Sequence, residues 1–251
     1  MSRLANALVF ILLTVTISCS RSGSRYGEIQ YASELIVERL DNNRFPLEPI
    51  ASQSGVRYEF LAQGCLCSSS PLFVCSSAEG WTVTVNGTQV PIVEGLHQVD
   101  DNDGCYVIAG LVKDGWNVIE LTGDGVPSPS FIVGDFDVNR QEESGSWILK
   151  YATVAGIGPL SDQGLPFYAG EISYRRKVVV PERVGRRVLE VEDWRGASCE
   201  ILVNGSSIAS VSSGKFKKNI GRELNPGINE IEVRLCGPSD EFGLLREFTL
   251  K

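Results

Sequence analysis

The chain has 251 residues of which 43% are hydrophobic, ample for one or two packed cores of ordinary size. Its formal net charge is −8 and no basic cluster offsets it, which makes it a poor partner for nucleic acid. A single histidine, His97, leaves a serine-type triad only one base to use and reads most simply as a loop residue.

Arg3 is followed by a nearly unbroken apolar run from Leu4 through Ile17 and then by Ser18-Cys19-Ser20. The run is short for a membrane span and has the layout of a secretory signal, so residues 1–19 read as a leader and the protein as exported, to the cell surface, the periplasm or the medium. Cys19 stands where a lipoprotein signal keeps its lipid-bearing cysteine, although Thr16 departs from that pattern. Lipid attachment at Cys19, the only membrane contact expected, and ordinary cleavage near Ser18 to Ser22 both fit.

Residues 20–50 read as linker and lead-in. Tyr26 to Leu40 mixes Ile29, Leu35, Ile36 and Leu40 with charges, compatible with a strand pair or a short helix, and Asn42 to Pro49 breaks regular structure. A first β-sandwich is expected over 51–125. In it Val56, Tyr58 and Phe60 alternate with Arg57 and Glu59, and Trp81, Val83 and Val85 with Thr82 and Thr84, the period of strands with one buried face. Asn86-Gly87 supplies two residues that accept positive φ, as a tight hairpin requires. Asp100 to Gly104 gathers oxygen ligands around a turn glycine and could hold calcium through Asp101 and Asp103, against the plainer reading as a solvated turn; no other cofactor is indicated. Beyond Cys19 there are six cysteines, and the bridges expected of an exported protein fall among Cys65, Cys67, Cys75 and Cys105.

Gly, Pro and Ser crowd residues 122 to 130, which read as the boundary to a second sandwich over 131–251. There, Val203-Asn204-Gly205 followed by Gly227-Ile228-Asn229 repeats Val85-Asn86-Gly87 followed by Gly115-Trp116-Asn117, the two intervals differing by no more than a loop. Asn229, Ile231, Val233 and Leu235 alternate with Glu230, Glu232 and Arg234. Cys199 shares the apolar face of Ile201 and Val203 while Cys236 falls on the polar one, so the two are not expected to pair. The fold class is all-β.

Gly134-Asp135-Phe136, Gly164-Leu165-Pro166-Phe167-Tyr168-Ala169-Gly170, Trp194, Val203-Asn204-Gly205 and Gly227-Ile228-Asn229 together resemble the C-terminal galactose-binding-like β-sandwich modules of glycoside hydrolases, those of α-L-rhamnosidase-like and family 2-like proteins. The likeness spans roughly residues 50 to 251. It implies two tandem jelly rolls in a carbohydrate context, lying beside a catalytic barrel that this chain does not contain. The cysteine-rich segment Cys65 to Cys75 has no counterpart in that pattern.

Three functions follow. As a non-catalytic carbohydrate-binding or accessory protein, the chain would stack a sugar on Trp194, with Asp193 and Arg195 at the rim, or on Trp116. As an assembly subunit it would pack on a separate glycoside hydrolase catalytic chain. As a glycosidase it would need two carboxyl groups about 5 Å apart with one in an apolar pocket, and Glu142-Glu143, Glu190-Glu192 and Glu230-Glu232 read instead as solvated faces. No catalytic residue is assigned.

Overall fold

The computed structural model describes residues 28–52, 55–64, 66, 70–76, 80–94, 96, 103–123, 127, 129–181, 185–237 and 242–251. The leader with Cys19, and also Cys65, Cys67, His97 and Asp101, lie outside them. Among the described residues the regular structure is all β, save for one short 3-10 turn, Leu160–Gln163. The described strands assemble into antiparallel sheets with one parallel pairing among them, between Trp147–Tyr151 and Gly55–Ala62.

Two hydrophobic cores organise the sheets. The first lies between a seven-stranded sheet, in which Gly55–Ala62 and Gly115–Thr122 are central, and a four-stranded sheet of Asn43–Pro46, Ser130–Gly134, Leu72–Ser76 and Asp103–Val107. Val56, Tyr58, Phe60, Val83, Val85, Ile119 and Leu121 pack there with Phe45, Phe73, Tyr106 and Ile132. The alternation in sequence is kept residue for residue, because each inward aliphatic or aromatic side chain contributes about 1.5–3 kcal/mol on burial and a one-residue slip would expose the whole set. The second core is built on a six-stranded sheet whose long members are Glu171–Val180 and Gly227–Cys236. Val188–Val191, Phe216–Asn219 and Thr249–Leu250 form a smaller sheet of the same core, whose buried cluster takes Leu189, Phe216 and Leu250 together with Ile231, Val233 and Leu235.

The strand pairings move the boundary expected at 122–130. Ser130–Gly134 joins Asn43–Pro46 to Leu72–Ser76, and Ile132, Phe136, Val138 and Leu149 all enter the first core. Residues 30–39, expected as lead-in, instead add two short strands to the second core's sheet, with Ile172 opposite Arg39 and Val178 opposite Tyr31. The first core is thus inserted between the strand Ile36–Arg39 and its partner Glu171–Val180. A Gly/Pro-rich stretch marks a reversal of the chain equally well between two strands of one sheet and between two bodies, so composition alone misplaced the change of core.

The repeat has a physical basis. Asn86 and Gly87, and again Asn204 and Gly205, adopt left-handed φ values of 50° and 82°, and 52° and 77°, and each pair turns a hairpin. In each unit the turn asparagine amide donates to a buried asparagine on the neighbouring strand, Asn86 Nδ2 to Asn117 Oδ1 at 2.8 Å and Asn204 Nδ2 to Asn229 Oδ1 at 2.9 Å. The buried asparagine also closes the turn before its own strand. Asn117 accepts from Lys113 N and donates to Lys113 O and Gly115 O, and Asn229 makes the same three bonds with Asn225 and Gly227. Two loops and two strands are thereby locked by one side-chain pair, once per core.

Cys199 is fully buried and free, its thiol pushed up to about 12 by burial, and Cys236 is also free. The register sets Cys199 opposite Leu235 and Cys236 opposite Ser198, as the strand parity requires. Cys75 is a buried free thiol as well, so it forms no bridge to the buried Cys105.

Candidate functional site

Trp194 does not offer a face to a ligand. It is 6% exposed within the second core, and its indole N–H donates to Gly214 O at 2.7 Å. Asp193 and Arg195 project outward on either side and pair with each other at 3.3 Å. A ring that is buried and hydrogen-bonded in this way is a core tryptophan. Asp103 is likewise internal, a buried residue of the strand Asp103–Val107. Among the described residues no group of three acidic, histidine or cysteine side chains is placed to hold a metal ion.

Trp116 is the opposite case, 55% exposed. It follows Gly115, whose φ of 94° lets the chain turn into the strand, and the Asn117 lock fixes that turn. In the sheet Trp116 pairs with Leu61 and shares the outer face with Val118 and Glu59. Beside it runs a groove of about 440 Å³ walled by Trp147, Phe167 and Ile50 and bearing the carboxylates of Glu48 and Glu59. The aromatic wall is rigid. Phe167 packs edge-on against Trp147 at 5.1 Å and against Phe45 at 5.7 Å, and the Arg140 guanidinium lies 5.8 Å from the centre of the Trp147 ring. Glu59 is paired with Arg57 at 2.5 Å. The groove draws on segments far apart in sequence, around residues 48, 59, 116, 147 and 167. Only Trp116 among them carried a local signal, an aromatic after a turn glycine.

A larger cleft, about 860 Å³, opens where the two cores meet, lined by Arg39, Asp41, Arg44, Asp135 and Thr153. Its inner charges are spent on each other. Arg39, reaching from the second core's sheet, donates to Phe136 O at 3.2 Å and Thr153 O at 2.8 Å and pairs with Asp137 at 3.1 Å. The other Asp137 oxygen accepts from the Thr153 amide and hydroxyl at 2.8 and 2.6 Å. Asp41 accepts from Glu171 N at 2.7 Å, and the Tyr168 hydroxyl donates to Glu171 O. The cleft is a fastened seam between cores, whereas the groove at Trp116 presents aromatic surface to solvent.

Glu190, Glu192 and Glu232 are held in ion pairs. Glu232 accepts from Ser173 Oγ at 2.7 Å and pairs with Arg234 at 3.0 Å. Glu190 accepts hydrogen bonds from Lys217 and Lys251, which pull its carboxyl down to about 2. A carboxyl so fixed is ionised at neutral pH and cannot serve there as a general acid.

No family model matches the sequence, and no curated protein matches it. Solved structures do. A rhamnosidase from Novosphingobium sp. PP1Y is 14% identical over 87% of this chain with a TM-score of 0.34. The α-L-rhamnosidase of Streptomyces avermitilis complexed with L-rhamnose is 14% identical over 90% of it with a TM-score of 0.30. The β-glucuronidase of Bifidobacterium dentium is 15% identical over 75% of it with a TM-score of 0.27. The chain spans 25%, 26% and 21% of these three proteins respectively, about a fifth to a quarter of their length.

Proposed function

We propose that this protein is a non-catalytic carbohydrate-binding module whose ligand lies across the outer face of the first core's sheet, stacked on Trp116. The exposed Trp116 ring beside the Trp147–Phe167 wall supports this reading. A pyranose ring has one face of C–H groups that packs on an aromatic plane and a rim of hydroxyls that needs fixed acceptors, here Glu48, Glu59 and Ser146. A half-exposed tryptophan held by a pinned turn also loses little conformational freedom on binding.

Trp116→Ala is expected to weaken glycan binding by about 1–3 kcal/mol, tenfold or more, because a stacking surface the size of a buried side chain is lost. Isothermal calorimetry with a panel of oligosaccharides measures it, with circular dichroism showing that the variant folds. Equal affinity in the variant would remove Trp116 from the site.

The module works outside the cytoplasm, in keeping with the Arg3 to Cys19 layout. Intact-mass measurement of protein from its native host is expected to show the leader removed, and a retained Met1 on a cytoplasmic product would refute export.

A further inference from the structure

Beyond its aromatic wall, the groove has a sign. Among the described residues, the charged side chains lining it are the two carboxylates, Glu48 and Glu59, and no basic side chain lines it. The guanidinium groups of Arg57 and Arg140 are already engaged. Arg57 is paired with Glu59, and Arg140 is laid over Trp147 while its Nε donates to Gly145 O at 3.2 Å. Glu48 is exposed and forms no ion pair with a described residue. The whole chain adds a formal charge of −8.

An anionic sugar entering this groove would meet Glu48 with no guanidinium to spare, so its carboxylate would be desolvated against a like charge. A neutral sugar would gain stacking and hydroxyl contacts only. A sugar bearing an ammonium group gains more: a Coulombic partner in Glu48, and the electron-rich face of an indole ring, while Glu59 is already matched by Arg57.

We propose that the groove selects glycans carrying a free amino group, such as oligomers of 2-amino-2-deoxyhexose, over neutral and uronate glycans. The proposal rests on the carbohydrate-binding reading above and adds the ligand class to it. Recognition is by the ammonium group at Glu48 with the sugar ring on Trp116.

The test is calorimetry on the full chain with three oligomers of equal length, made of glucosamine, of N-acetylglucosamine and of galacturonate. The glucosamine oligomer is expected to bind about two- to fivefold tighter than its N-acetylated form, the size of one partly screened charge contact, and the galacturonate oligomer weakest of all. Glu48→Gln is expected to lower the affinity for the glucosamine oligomer and narrow that gap, and added salt to narrow it in the wild type, since screening acts on the charge contact. If the N-acetylated or galacturonate oligomer binds as well as the free amine, the charge selection is wrong while the carbohydrate-binding reading stands. If none of the three binds, both fall.

Discussion

Replacing Arg39 by methionine is expected to destabilise the protein by about 3–5 kcal/mol, the usual cost of leaving one member of a buried ion pair behind. The side chains of Arg39 and Asp137 are only 10% and 5% exposed, so once the guanidinium is gone the carboxylate keeps only the Thr153 donors on its other oxygen and gains little water. The same substitution strips donors from Phe136 O and Thr153 O. Because Arg39 stands on a strand of the second core's sheet and its partners on strands and loops of the first, the loss also unfastens the seam. Denaturant unfolding followed by tryptophan fluorescence should show the transition moving to lower concentration. The double variant Arg39→Met with Asp137→Asn should recover part of the loss, since an amide oxygen still accepts from Thr153 without carrying a buried charge. A single variant within about 1 kcal/mol of wild type would show that the pair is solvated and the two cores are held by other contacts.

Asn117→Ala and Asn229→Ala should each cost about 2–4 kcal/mol, several times the effect of an ordinary surface substitution. Each buried asparagine serves two backbone carbonyls, one backbone N–H and a second asparagine, and alanine leaves all of these without their partner in a place water reaches poorly. Asn117 is 0% exposed and Asn229 is 1% exposed. For a chain of this size the expected fall in Tm is roughly 5–15 °C. Asn→Asp at either position keeps the acceptor but removes the donors and buries a charge, so it should be no milder than alanine at neutral pH. Differential scanning calorimetry of the four variants decides it. A drop of less than about 1 °C at both positions would mean that the repeated asparagine pair is incidental to stability.

The Asn-Gly repeat shows what can be read locally. Its two halves announced a hairpin and a following half-buried strand, and both cores contain that unit. Strand parity was equally legible: it placed Cys199 inward with Ile201 and Val203, and Asn229 inward with Ile231. The same rule applies at Trp194. Asp193 and Arg195 flank it, and in an extended segment flanking charges that point outward send the residue between them into the core.

The amino-acid sequence by itself determined the all-β class, the alternating faces of the strands and the two Asn-Gly hairpins, because these depend on neighbours within a few residues: pleat period, positive φ and side-chain polarity. Only the tertiary structure decided which strands share a core, that the strand at 36–39 and its partner at 171–180 enclose an inserted unit, and that Trp116 rather than Trp194 faces solvent. It also decided the groove, since Glu48, Glu59, Trp116, Trp147 and Phe167 belong to separate segments that strand order and the seam between cores bring together. The physical reason is one of range. Sheet order and core membership follow from long-range burial summed over the whole chain, and no short window of sequence carries that sum.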